Sequence, residues 1–270
     1  YPLPTVIYDR IFYHNHEQLK RGRQSIKRLI EEKQVMFLGR GLPGKWKVYQ
    51  MCQDNPQLTP FLPETTRVNL ATDWKRKLRE HQALFFKPIA GSHGKRVFKL
   101  SKTARGWEVI GRTATNQLFT LCFPSEKACS AWLNQMALKK NYIVQPYLRL
   151  NTKANTPFDI RILVQKNREG KWEETGRVVR IGKKHGLTSN LHGGGTAVET
   201  NHFLAKHYAP EQIEEINRQL AIIVEELPKQ LEGKHGALVE LGIDVGIDPQ
   251  GKAWLLEANS KPGRRSFQLI

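Results

Sequence analysis

Residues 238–264 read LVELGIDVGIDPQGKAWLLEANSKPGR. Two apolar runs, 238–247 and 253–259, flank Asp248-Pro249-Gln250-Gly251, a strong turn signal, so the segment predicts a β-hairpin. Side chains alternate across a strand. In the first run the odd positions Val239, Leu241, Ile243, Val245 and Ile247 are apolar, and in the second the even positions Trp254, Leu256 and Ala258 are. A four-residue turn pairs 244 with 255 and 242 with 257, which sets Asp244, Glu257 and Asn259 on the face opposite the apolar one, with Gly242 leaving space beside Glu257. Two carboxylates and an amide oxygen make a donor set for a hard divalent ion such as Mg²⁺. A solvated polar face is the alternative reading of the same pattern.

Working outward, residues 211–231 carry Ile213, Ile216, Leu220, Ile223 and Leu227 at helical spacing, an amphipathic helix able to cover a sheet. The stretches 84–87, 96–100, 107–112, 117–123, 142–148, 159–165 and 176–182 read as strands. Residues 5–13 also read as a strand, and 16–33, 45–54, 72–81 and 125–139 as helices, the last with Ser125 as N-cap. The order of elements predicts an α+β protein with mainly antiparallel sheets, not the alternating βαβ of a dinucleotide-binding domain. The expected division is an N-terminal lobe over 1–68, a subdomain over 69–150 and a second over 151–270. The chain starts at Tyr1 rather than Met, so truncation at either end fits, and the N-terminal lobe is expected to be small.

Lys and Arg total 43 against 25 Asp and Glu, a net charge of +18 that favours anionic partners. No RNP, helix-turn-helix or zinc pattern supports nucleic acid as the sole partner. No apolar run approaches the ~20 residues of a membrane span, and nothing at the start reads as a signal peptide. Cys52, Cys122 and Cys129 are odd in number and fit no zinc spacing, so a reducing, cytoplasmic setting is expected.

Two glycine loops stand out. Lys87 ends a strand, and Gly91, Ser92, His93 and Gly94 follow within a hairpin, where glycines let backbone N–H groups approach phosphate. A strand follows rather than a helix, which rules against a Walker A loop and suits a flap folded over phosphates. The second loop, over 185–196, holds three consecutive glycines, as a loop that closes over a ligand would, with a plain surface loop as the alternative reading. His192 within it reads as a loop-orienting or exposed side chain.

Seven stretches together carry a resemblance: GKWKVYQMC (44–52), PFLPET (60–65), FFKPIAGSHGKRV (85–97), YIVQPY (142–147), PFDIRILVQ (157–165), TSNLHGGGTA (188–197) and LGIDVGIDPQGKAWLLEANSKPGR (241–264). In that order and spacing the chain resembles the ATP-grasp superfamily, and more closely the YheC/YheD family of spore-coat-associated proteins. Residues 157–264 are also similar to the ribosomal-protein glutamate ligases. The resemblance implies an ATP-grasp fold, two α+β lobes clasping ATP and Mg²⁺, and a role for each matched position. Asp244, Glu257 and Asn259 would hold Mg²⁺. Lys45 and Lys87 would contact phosphates, with Gly91, Ser92 and Gly94 in the covering flap. Gln145 and Tyr147 would lie in the hinge beside adenine, and Asp159 near the ribose. Arg161 would sit near the phosphates or an acyl phosphate, and Arg180 and Asn190 would stabilise the transferred phosphoryl group. The sequence departs from the family's pattern at Arg96, usually glycine in the flap, and from the glutamate ligases' arginine at Thr188.

The implied chemistry is ligation of a carboxylate to an amine, each from an amino acid or peptide, through an acyl phosphate. It needs positioning and charge neutralisation more than a dedicated nucleophile. An ATP-grasp phosphotransferase and a non-catalytic spore-coat ATP-binding protein remain open alternatives. Arg264 and Arg265, just past the hairpin, are expected beside the γ-phosphate, Arg264 with a catalytic role. Both are expected in a basic funnel for an acidic polypeptide or another polyanion, with a solvated pair or a contact to ATP alone as the alternative.

Overall fold

The computed structural model describes the chain outside positions 1–3, 12–15, 33–34, 40, 70–72, 92–93, 140, 185, 188, 190–194 and 269–270. Its largest element is helix α6 (Pro210–His235), preceded in chain order by α1 (His16–Glu31), α2 (Lys45–Gln53), α3 (Trp74–His81), α4 (Glu126–Lys139) and α5 (Thr200–His207). Pro210 opens α6 at a position where its missing N–H is no loss, and Gly236 follows the last turn at φ 106. Most of the predicted stripe of α6 is buried: Ile216, Leu220, Ile223 and Leu227 have no exposed surface, Ile213 is half-buried, and Leu231 extends the row one turn further.

That stripe packs on a five-stranded sheet with strand order β11-β10-β9-β12-β13. Its members are β9 (Phe158–Lys166), β10 (Trp172–Ile181), β11 (Thr196–Glu199), β12 (Glu240–Ile247) and β13 (Ala253–Asn259), paired antiparallel throughout. A second, six-stranded sheet has the order β3-β8-β4-β5-β6-β7. It comprises β3 (Thr66–Arg67), β4 (Ala83–Pro88), β5 (Phe98–Thr103), β6 (Gly106–Arg112), β7 (Leu118–Phe123) and β8 (Tyr142–Pro146). Helices α3 and α4 cover it with a separate core around Leu84, Phe98, Leu100, Val109 and Tyr142. Ser125 accepts from the Ala128 amide at 3.3 Å, as an N-cap does. Met51, Cys52, Leu58 and Phe61 join the core under α6, so α2 and the 3-10 turn Thr59–Phe61 are built into the C-terminal half.

The N-terminal unit differs from the expected long strand. Strand β1 (Val6–Tyr8) pairs in parallel with β2 (Met36–Leu38), and α1 crosses between them, a small βαβ unit in an otherwise antiparallel protein. Strands β2 and β3 are only three and two residues long, too short for alternation to show in the sequence. Strand β11 and helix α5 follow the second glycine loop directly. The Glu199 carboxylate caps α5 by accepting from the Asn201 and His202 amides at 2.8 and 2.6 Å. Among the described residues no helix is long and apolar enough to cross a membrane.

Candidate functional site

A cleft of about 490 Å³ lies between the two large sheets, within the ~300–1,000 Å³ of small-molecule sites. The hairpin β12–β13 forms one wall, and its register differs from the expected one in two steps. The Asp248 amide donates to the Lys252 carbonyl at 3.0 Å, and the Asp248 carboxylate accepts from the Gln250 and Lys252 amides, so the loop takes one residue more than a four-residue turn. Ile247 therefore pairs with Ala253, and Val245 with Leu255. A uniform continuation would turn Glu257 toward Ile243 and the core, because a one-residue slip reverses every side chain. A β-bulge at Leu256 shifts the register again, so that Asp244 pairs with Glu257 and Gly242 with Asn259. The three oxygen-bearing side chains share the cleft face as expected, but through the bulge. The consequence for the apolar residues is a correction: Leu255, not Leu256, is buried in the core, while Leu256 lines the cleft.

The space at Gly242 is used differently from the expectation too. A Cβ there would lie 2.5 Å from Arg161 Nη1 and 2.6 Å from Pro262 Cβ, so the Arg161 guanidinium and Pro262 fill it. Arg161 projects from β9, and its Nε lies 3.0 Å from Asp244 Oδ1. Arg180, from β10, forks onto Asp159 with Nε–Oδ1 at 2.7 Å and Nη2–Oδ2 at 2.6 Å, and its Nη2 also reaches Asp244 Oδ2 at 3.1 Å. Ser189 Oγ donates to Asp159 Oδ2 at 2.6 Å. Asp159, expected near a ribose, thus spends both oxygens on Arg180 and Ser189. Burial pushes the Asp244 carboxyl above the usual range, and Arg161 and Arg180 pull against it.

The opposite wall comes from β4, β8 and the glycine loop. Phe85 and Gln145 sit opposite each other on neighbouring strands, and Lys87 and Tyr147 line the same wall. Burial pushes the Lys87 ammonium down to about 8, opposed by Glu257 and reinforced by Lys45. Lys45, the first residue of α2, donates to the Gly91 carbonyl at 2.6 Å and lies 3.2 Å from Glu257 Oε1, bridging the flap to the hairpin. Gly91 and Gly94 adopt φ of 122 and 65°, backbone that glycine reaches without strain, and Arg96 sits at φ 61°, which explains why glycine suits that position better. Gln145 donates to Thr65 Oγ1 at 2.7 Å. Ser92 and Asn190, and with them His192, lie outside the described residues.

The family model described as YheC/D like ATP-grasp matches residues 34–270. The chain belongs to this family. It is 32% identical over 268 residues to the endospore coat-associated protein YheC of Bacillus subtilis (strain 168), covering 98% of this chain and 72% of that protein. Against the endospore coat-associated protein YheD of the same organism it is 30% identical, over 98% of this chain and 58% of YheD. Among solved structures, the C-terminal domain of the ATP-grasp enzyme Pby1 from K. lactis superposes with a TM-score of 0.50 at 15% identity, covering 90% of this chain and 73% of that one. That likeness concerns the ATP-grasp fold alone.

ATP-grasp proteins use Mg²⁺ with ATP, and the donors here fit such an ion. Asp244 Oδ1 is buried and makes no hydrogen bond, since Arg161 Nε approaches it closely but in poor alignment. An open carboxylate oxygen beside Glu257 and Asn259 suits a hard cation. Among the described residues no group of three His, Cys, Asp or Glu could hold a metal ion; beside the two carboxylates, the Asn259 amide oxygen would be the third donor.

Arg264 is placed differently from the expectation of a free guanidinium beside a phosphate. It lines the cleft, but its Nη2 donates to Glu240 Oε2 at 2.8 Å. Glu240, 1% exposed on β12, is also held by Arg10 through Oε1 and by Gln165 at 3.2 Å. Arg10 further donates to the Pro262 carbonyl at 3.1 Å, and Lys261 donates to Asp9 at 2.6 Å, so the N-terminal unit is fastened to the loop after Asn259. Glu240 carried no signal in the sequence, because it reads as one polar residue in an apolar strand. Replacing both Arg10 and Arg264 by Ala leaves a buried carboxylate with only an amide partner. The expected loss is about 3 kcal/mol in urea unfolding, against about 1 kcal/mol or less for Arg264→Ala alone. Equal, small effects would show that Glu240 draws its compensation elsewhere.

Proposed function

We propose that this chain is an ATP-dependent ligase that joins a carboxylate to an amine through an acyl phosphate, with Mg²⁺ bound in the cleft. The observation that carries the reading is the meeting of Asp244, Glu257 and Asn259 with Lys45, Lys87, Arg161 and Arg180 in one cleft. Three anionic groups have to gather there, and the protein's part is to neutralise and orient them. Lys45 and Lys87 would face the phosphates, under a flap containing Gly91, Ser92 and Gly94. Gln145 and Tyr147 would flank the base. Bound by Asp244, Glu257 and Asn259, Mg²⁺ would supply charge neutralisation at the phosphate oxygens.

In the proposed sequence a substrate carboxylate oxygen bonds to the γ-phosphorus and ADP departs. The amine then bonds to the carbonyl carbon, phosphate leaves with the electron pair of the C–O bond, and the amine gives up a proton to solvent. Arg161 and Arg180, with Asn190, would stabilise the phosphoryl group in transit. Arg180 is suited to this because Asp159 and Ser189 hold its guanidinium rigid. Asp159 then acts through Arg180 rather than on the ribose. Arg265, exposed at the cleft and in no ion pair among the described residues, is a cation open to an acidic amino acid or peptide, while Arg264 shapes the loop that carries it. Subdomains over 69–150 and 151–270, with α2 and the turn Thr59–Phe61 packed into the second, belong to the same proposal, as do a cytoplasmic setting and the spore-coat setting in the relatives' names.

The test has two stages. Mg·ATP at a hundredfold excess over Kd adds ~2.7 kcal/mol to the folded state, so the melting temperature is expected to rise with both together. Glu257→Gln, on a partly exposed side chain, is expected to keep the free protein's melting temperature and lose that rise. No rise for the wild-type chain overturns the nucleotide reading. Incubation with amino acids and peptides, followed by mass spectrometry, is then expected to give an amide, ADP and phosphate; a stable phosphorylated product instead would identify a phosphotransferase.

A further inference from the structure

An amide side chain can offer either a donor or an acceptor to a ligand, and at Gln145 that choice is made by a residue outside the strand that carries it. Thr65 Oγ1 lies 2.8 Å from the Pro63 carbonyl oxygen. A carbonyl only accepts, so the single hydroxyl proton of Thr65 is directed to Pro63. Toward Gln145, 2.7 Å away, the hydroxyl can therefore only accept, and the end of the amide that faces it is the NH₂ group. Thr65 and Gln145 are both buried, so a reversed amide would press two acceptor oxygens together out of reach of water. The polarity of Gln145 follows from this chain of hydrogen bonds and not from the appearance of the amide itself.

The opposite end of the amide, Oε1, accepts from no donor among the described residues and is not a sealed-off buried atom. Gln145 stands opposite Phe85 on β4, and both side chains line the cleft next to Tyr147. An apolar aromatic surface with one fixed acceptor is a site for a flat heterocycle that carries a donor at its edge.

We propose that Thr65 and Gln145 act together as a base reader: Thr65 is a positioning residue that locks the Gln145 amide, and the exposed Gln145 oxygen selects a nucleobase with an exocyclic amine, as in adenine, over one with an oxo group at the same place. The inference rests on the nucleotide reading of the cleft and goes beyond it, because it assigns selectivity to a threonine that neither sheet strand nor flap supplies. An oxo base would bring its own acceptor against Oε1, and the amide could not turn to meet it without losing Thr65.

ATP and ITP differ at that group, and their Kd values in the presence of Mg²⁺, measured by titration calorimetry on the full chain, separate the possibilities. The wild-type protein is expected to bind ATP at least tenfold more tightly than ITP. Thr65→Val frees the amide to turn and is expected to bring the ratio close to one, chiefly by tightening ITP, whereas Thr65→Ser keeps the hydroxyl and restores the wild-type ratio. Gln145→Leu removes the acceptor and is expected to abolish the preference as well, which covers the case in which the Thr65→Val protein does not fold. An unchanged ratio in folded Thr65→Val or Gln145→Leu protein, with ATP binding intact in the wild type, overturns this inference alone. Failure of the wild type to bind either triphosphate overturns the nucleotide reading and this inference with it.

Discussion

Arg180→Leu is expected to lower the melting temperature by roughly 10 °C and to abolish the proposed ATP-dependent turnover. The guanidinium is buried and serves two carboxylates at once, forking onto Asp159 and touching Asp244. Burial works against its charge, but Asp244 and Asp159 outweigh that and hold it above its ordinary pKa. Removing it strands both acids away from water. Among the described residues, Asp159 keeps only the Ser189 hydroxyl, and Asp244 only the poorly aligned Arg161. Breaking a buried pair from one side costs ~3–5 kcal/mol, and a chain of this size loses ~2–4 °C per kcal/mol. Arg180→Lys keeps the charge but not the fork, so it is expected to recover part of the stability and little of the turnover. Calorimetric melting of the three proteins checks this. An Arg180→Leu protein as stable as wild type would mean that solvent, not Arg180, compensates these acids.

Leu255→Asp and Leu256→Asp, one residue apart, are expected to fail in opposite ways. Leu255 is 7% exposed and packs in the core under α6, where a carboxylate has no partner, so this protein is expected to be unfolded at room temperature. Leu256 is the extra residue of the bulge and lines the cleft. A carboxylate there stays hydrated and leaves the fold in place. It would add a negative charge near the proposed phosphates. At a separation of ~8 Å and an effective dielectric of ~20 that repulsion is about 2 kcal/mol, roughly a thirtyfold loss of ATP affinity. Circular dichroism melts and ATP titrations distinguish the two. If Leu256→Asp unfolds the chain and Leu255→Asp does not, the bulge is misplaced, and the apolar face reads as uniform alternation from a four-residue turn would have it.

That pair of residues marks the boundary between what one sequence discloses and what it does not. The stripe of α6, the strands of the hairpin and the oxygen donors Asp244, Glu257 and Asn259 follow from spacing and residue type, which are local properties. Alternation alone even assigned the three donors to one face, but by a register that the structure replaces. The register depends on the Asp248 loop and on the Leu256 bulge, neither of which has a period to detect. The charged network was less legible still. Arg180 with Asp159 spans 21 positions, Gln145 with Thr65 spans 80, and Arg10 with Glu240 spans 230. Nothing local in the sequence joins the two members of any of these pairs, and Arg264 reads there as a guanidinium open to a ligand. The sequence by itself determined the longer elements, the buried stripe of α6 and the kinds of donor available, because helix and strand periodicity act over a few residues. Only the tertiary structure decided which charges neutralise one another and which are left open to a ligand, because a buried ion takes the counter-charge that packing brings nearest, whatever its distance along the chain.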